Sequence, residues 1–175
     1  PNVKYRKFDT LNICMGAGML VYIGAKYCRE HGDDIDATYD YLSSIVGKIG
    51  VYFVVEDMKY LARGGRISPA KAKIGNLINI KPVLTVEGGK LDVYSKQNGL
   101  KKAYKFMLET FKENYCDIDN APITLVDADN REISDILAEK IREIAPNATI
   151  WQQPVGPVIG AHAGPGTIGI IFTRK

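Results

Sequence analysis

Two β-rich runs, Pro82–Val86 and Lys90–Tyr94, flank Gly88-Gly89 in the stretch KPVLTVEGGKLDVYSK. A two-residue hairpin turn needs φ > 0 at both central positions, which glycine takes without steric cost. The two runs are therefore committed to antiparallel pairing. The segments that follow alternate between helix and strand patterns. Leu100, Tyr104, Met107, Leu108, Phe111 and Tyr115 keep the 3–4 spacing of an amphipathic helix. PITLVDA reads as a strand, and Asp129 or Asn130 is placed to cap a helix carrying Ile133, Ile136, Leu137, Ile141 and Ile144. TIWQQPV and TIGIIFT read as further strands, separated by the glycine-rich GPVIGAHAGPG. Upstream, VYFVVED is a buried strand by its β-branched and aromatic content. A hairpin joined to strand–helix units implies an α/β fold with a mixed β-sheet and packed helices. Val51–Glu56, Pro82–Val86, Lys90–Tyr94, Ile123–Val126, Thr149–Gln152 and Ile168–Phe172 are expected in that one sheet.

The first fifty residues read differently. Val3–Phe8 alternates weakly and predicts a strand. Leu11–Glu30 is apolar almost all round, which predicts a helix buried on most sides and stopped at His31-Gly32. Asp33 and Asp34 can cap a second helix, with Ile35, Tyr39, Leu42, Ile45, Val46 and Ile49 on one face. The chain opens without methionine and inside a strand pattern. Residues 1–49 are thus expected to be the tail end of an amino-terminal domain plus connecting helices, and residues 50–175 a carboxyl-terminal α/β domain.

Composition narrows the function. Apolar residues are 46% and charged residues 25% of the 175, a globular balance. The 23 basic residues are interleaved with 20 acidic ones for a net charge of +3, without the basic stripe of a nucleic-acid binder. The uncharged, largely apolar run Leu11–Ala25 is too short to span a bilayer. Cys14, Cys28 and Cys116 lack metal-ligand spacing, and the first two, on one helix, would lie roughly 21 Å apart. A reduced, cytoplasmic protein follows.

The stretch YLARGGRISPAKAKIGNLINIKP carries the most local chemistry. Met58–Arg63 predicts a short helix with Gly64 as its left-handed C′ residue. Ser68 then caps a new helix with Pro69 at its first position. Arg66 would lie just before a helix N-terminus, a combination that favours an anion. A tight corner with a solvated arginine fits the local sequence equally well. His162 falls in the second glycine cluster, in an apolar loop before a buried strand, where backbone can approach a ligand closely. No Gly-x-x-x-x-Gly-Lys-Ser/Thr, no Gly-x-Ser-x-Gly and no paired His or Cys occurs, so the chain lacks a convincing catalytic set.

With YLARGGRIS, IGNLINIKPVLTVEGGKL and PVGPVIGAHAGPGTIGIIF in family order, the chain resembles the carboxyl-terminal part of the DegV family, bacterial fatty-acid-binding proteins that present fatty acids to a kinase. DTLNICMGAGMLV also resembles that family's Asp-Ser strand end and following helix. The resemblance implies a two-domain protein holding a long-chain fatty acid in an apolar tunnel, with Arg66 and His162 in the polar network around its carboxylate. Direct hydroxyl contacts would come from a serine and a threonine of the amino-terminal domain. Gly65, Ser68 and Gly164 are taken with them as ligand-binding residues, and Ile74 and Ile78 as tunnel lining, although each isoleucine serves equally well as plain core. The implied partners are the fatty acid and a fatty acid kinase subunit, with no nucleic acid and at most peripheral or transient membrane contact. Two departures stand out. Asn98-Gly99 replaces a common arginine-threonine pair, and Thr10 and Cys14 stand where serines are usual. The alternative is an enzyme acting on a phosphorylated small molecule at the same anion site.

Overall fold

The computed structural model describes residues 3–68 and 79–175. Six strands form one sheet: β1 (Ile49–Val54), β2 (Ile80–Glu87), β3 (Lys90–Asn98), β4 (Ile123–Ala128), β5 (Ile150–Pro154) and β6 (Thr167–Thr173). Their order is β3-β2-β1-β6-β4-β5, antiparallel at every neighbour except the parallel β4–β5 pair. All six expected strands are therefore in one mixed sheet. The hairpin between β2 and β3 turns at Gly88 (φ 55°) and Gly89 (φ 78°), as its sequence requires. Strands β1 and β6 are buried along their whole length, which accounts for their unbroken apolar runs.

Helices cover both faces. Helices α4 (Leu100–Asn114) and α5 (Arg131–Ile144) place Met107, Phe111, Leu137 and Ile141 against Tyr52, Val54, Leu125, Ile170 and Phe172. The opposite face carries Val51, Phe53, Val126 and Ile171. It packs with Met19, Leu20 and Ile23 of α1 (Cys14–Glu30), Ile45 of α2 (Ile35–Ile45), Leu61 of α3 (Lys59–Arg63) and Ala163 of α6 (Pro157–Ala163). Residues 14–45 thus share a core with the sheet. Asp34 caps α2 by accepting from the Asp36 and Ala37 N–H groups at 2.9 and 3.0 Å. Gly32 (φ 70°) ends α1 as its composition predicts.

Two expectations about this first segment are corrected. Val3–Phe8 is not a strand, and no ladder partner meets it among the described residues. Its period-2 pattern is used for side-chain docking on α2. Lys4 and Arg6 both pair with Asp36, the Arg6 guanidinium lies 3.8 Å from the centre of the Tyr39 ring, and Phe8 meets that ring edge-on. The hydrogen bonds from Lys4 and Arg6 hold the Asp36 carboxyl below the ordinary carboxylate range. The expected helix from Leu11 begins only at Cys14, because Asp9 Oδ1 takes the Leu11 N–H at 2.9 Å and Leu11 turns left-handed (φ 49°). Nor is α1 buried on most sides. Gly16, Met19, Leu20, Ile23 and Gly24 form one buried stripe, while Val21 is 67% exposed.

Arg174 fastens the end of β6 across the sheet. Its Nη1 and Nη2 donate to the two carboxylate oxygens of Glu87 at 2.7 and 2.9 Å, Nη2 also donates to the Gly47 carbonyl at 3.1 Å, and Nη1 reaches the Tyr52 hydroxyl at 3.3 Å. These bonds raise the Arg174 pKa, Glu87 contributing most. Glu87 is half-exposed, so solvent screens part of the pair. Arg174→Ala should therefore lower unfolding free energy by about 1–2 kcal/mol, read from the midpoint shift in a urea titration at unchanged slope.

Candidate functional site

Helix α3 leaves the carboxyl end of β1, and α6 leads into the amino end of β6. Because Val54 pairs with Ile168, those two strand ends are neighbours, and both helices stand at one edge of the sheet. Two glycines let them interlock. A Cβ on Gly64 would collide with the His162 ring at Nδ1, and one on Gly164 would lie 2.5 Å from the Tyr60 ring. His162 thus rests directly on the backbone of Gly64. Its Nδ1 is buried and has no hydrogen-bond partner among the described residues.

Arg66 is attached to the same glycine. Its Nη1 donates to the Gly64 carbonyl at 2.8 Å, and no carboxylate pairs with the guanidinium among the described residues. The residues between are set by a helix-terminating motif in which the Arg66 N–H bonds to Leu61 O at 2.8 Å and the Gly65 N–H to Ala62 O at 3.0 Å. The left-handed residue is accordingly Gly65 (φ 70°), not Gly64, which stays right-handed at φ −77°. The left-handed position falls one residue later than expected, because Gly64, the cap residue of α3, keeps right-handed angles. Gly64 is required for the close approach of His162 instead.

Arg66 and His162 line one cleft of about 350 Å³. Its remaining walls are apolar: Phe53, Val86 and Leu91 from the sheet, Leu61 from α3, Val158 and Ile159 from α6, and Ile13 just before α1, with Gly89 of the hairpin turn at the rim. A second, narrower apolar space of about 40 Å³ adjoins the cleft, sharing Ile13, Phe53, Ile159 and Ala163 with it. A permanent cation and an imidazole thus sit at one edge of an otherwise greasy hole. Such a site suits an amphiphile with an anionic head.

Of the other residues singled out in the sequence, Gly65 and Ser68 are exposed and do not line the cleft. Gly164 lies behind it, against Tyr60, with φ 80°. Ile74, Ile78 and the helix from Pro69 lie outside the described residues. His162 is not in a loop: it is on the last turn of α6. The signal was present, since Pro157 follows Gly156 at the first helical position and Gly164 ends the helix. Val158 and Gly89 were not expected as lining. Nothing local marks them, because only the tertiary fold brings the residue before α1 to the hairpin turn. Among the described residues no helix is long and apolar enough to cross a membrane.

The chain is a mixed-sheet α/β domain with an apolar cleft lined by an arginine and a histidine, and comparison with known proteins gives the family. The DegV family model, described as an uncharacterised protein of the DegV family, matches residues 1–175. The chain belongs to the DegV family. A DegV domain-containing protein of Clostridium perfringens is 35% identical over 173 residues, covering 98% of this chain and 59% of the relative. The crystal structure of a fatty acid binding DegV family protein from Streptococcus agalactiae is 31% identical with a TM-score of 0.82, over 100% of this chain and 62% of the other. The Streptococcus pneumoniae fatty acid kinase (Fak) B3 protein loaded with linoleic acid shares the fold at a TM-score of 0.84 and 22% identity, over 98% of this chain and 60% of the other. The chain therefore spans about three-fifths of the length of these relatives.

The Gly64–His162 contact is testable without a ligand. Gly64→Ala should destabilise the domain by about 1–3 kcal/mol through overpacking, measured by chemical denaturation. The double variant Gly64→Ala, His162→Ala should recover part of that loss, because the second change removes the ring that the new methyl strikes.

Proposed function

We propose that the cleft binds a long-chain fatty acid, with its acyl chain on the apolar floor and its carboxylate between Arg66 and His162. The observation that carries this reading is the convergence of Arg66, which pairs with no carboxylate among the described residues, and His162 on one otherwise apolar cleft. Apolar contact supplies affinity at roughly 0.8 kcal/mol per buried methylene. The carboxylate would be costly to bury unpaired, and a guanidinium offsets that cost through charge-assisted hydrogen bonds. Family membership supports the same ligand, since the Streptococcus agalactiae relative is by its name a fatty acid binder.

In this reading the protein is a carrier and not a catalyst. It presents the carboxylate to a fatty acid kinase, which forms the acyl phosphate; the name of the pneumococcal neighbour supports that partnership. Residues 1–49, the tail end of an amino-terminal domain plus connecting helices, lead from a domain that supplies hydroxyl contacts to the carboxylate. The carrier works in the cytoplasm, with at most peripheral or transient membrane contact.

Native mass spectrometry of the full-length protein purified from bacteria should show a bound long-chain fatty acid. Arg66→Ala should weaken fatty-acid binding by about 1.5–3 kcal/mol without unfolding the domain. Arg66→Lys should restore part of that loss, because lysine keeps the charge and lacks the planar fork. Unchanged affinity in Arg66→Ala would count against the proposed carboxylate site.

A further inference from the structure

We propose that Gly169 sets the length of acyl chain the cleft accepts, by leaving room for the methyl end of the chain at the closed end of the apolar space. The proposal rests on the fatty-acid reading above and adds a residue that determines specificity within it. The adjoining narrow space lies away from Arg66 and His162 toward the middle of the sheet, where Val51, Gly169, Ile171 and Val126 of three adjacent strands line it, with Cys14 of α1 beside them. Among the described residues no charged side chain lines it. The Thr167 hydroxyl donates to the Ala163 and Gly164 carbonyls at 3.1 and 2.8 Å, so its hydrogen-bonding needs are met within the protein. A carboxylate would be stranded at this end. A hydrocarbon terminus would not.

Gly169 lies in the interior of β6, paired with Phe53 on one side and Val126 on the other. It is absent from the residues with positive φ, so its backbone conformation does not demand glycine. What the residue supplies is the missing side chain. A Cβ at this position would lie 3.1 Å from Phe53 Cβ and 3.1 Å from Val126 Cγ2, both on lining residues of the narrow space. Glycine in a strand interior weakens the strand and marks a place where something must approach closely. Here a single methyl would enter a space of about 40 Å³, enough to displace the last part of a chain.

The test is a binding series on the full-length protein with lauric, myristic, palmitic and stearic acids. In Gly169→Ala the longest acids should lose about fourfold in affinity for each methylene that no longer fits, while the shortest keeps wild-type affinity. Ile171→Val trims the same end and should move the preference toward longer acids. It also decides the question alone if Gly169→Ala does not fold. Equal losses at every chain length in Gly169→Ala, or unchanged length profiles, would overturn the assignment. Wild-type protein that binds none of the four acids would overturn the reading of the cleft itself. Wild-type protein that binds them, with variants that keep its length profile, removes Gly169 alone.

Discussion

The His162 ring lies on the backbone of Gly64, and the arrangement of the site depends on that contact. It joins α3 to α6, sets the imidazole at the cleft and leaves the Gly64 carbonyl to hold the Arg66 guanidinium. A Cβ at position 64 would collide with the imidazole and force it off this seat. Gly164 against Tyr60 repeats the arrangement one helical turn's reach away, so two glycine seats fix the spacing of the pair. Polar groups with a role in binding must be held by rigid elements, and here the rigidity comes from backbone contact.

Sheet topology does the rest. The antiparallel β1–β6 pair brings the end of one strand beside the start of the other, so residues far apart in sequence meet at one edge. The same pairing makes β1 and β6 the buried centre of the sheet, where apolar side chains fill both faces. The face toward α4 and α5 is closed by large side chains such as Phe111, Tyr52 and Phe172. The face toward α1, α3 and α6 retains the cleft. Glycines concentrate at this face and edge, at positions 64, 89, 164 and 169, where close approach or open space is needed.

Much of this was legible in the sequence because strand patterns are local. Gly88-Gly89 fixed a hairpin, the β-branched runs fixed six strands, and Asp34 fixed a cap. Arg66 and His162 meet because α3 and α6 attach to the paired ends of β1 and β6. What failed was context. Val3–Phe8 alternates like a strand but docks on α2 through Lys4, Arg6 and Phe8, a choice that depends on which partner is available. A seven-residue helix around His162 was hidden by its glycines, although its proline start was visible. The left-handed turn falls at Gly65 because Gly64, the cap residue of α3, keeps right-handed angles, and helix ends shift easily by one residue.

The most direct test of the account is a crystal structure of the full-length protein with a fatty acid carrying bromine at its methyl end, so that anomalous scattering marks one terminus and electron density the other. The account predicts the carboxylate within hydrogen-bonding distance of Arg66 and His162, and the bromine against Val51, Val126 and Gly169. A carboxylate bound away from Arg66 and His162, or a chain running in the reverse direction, would contradict it.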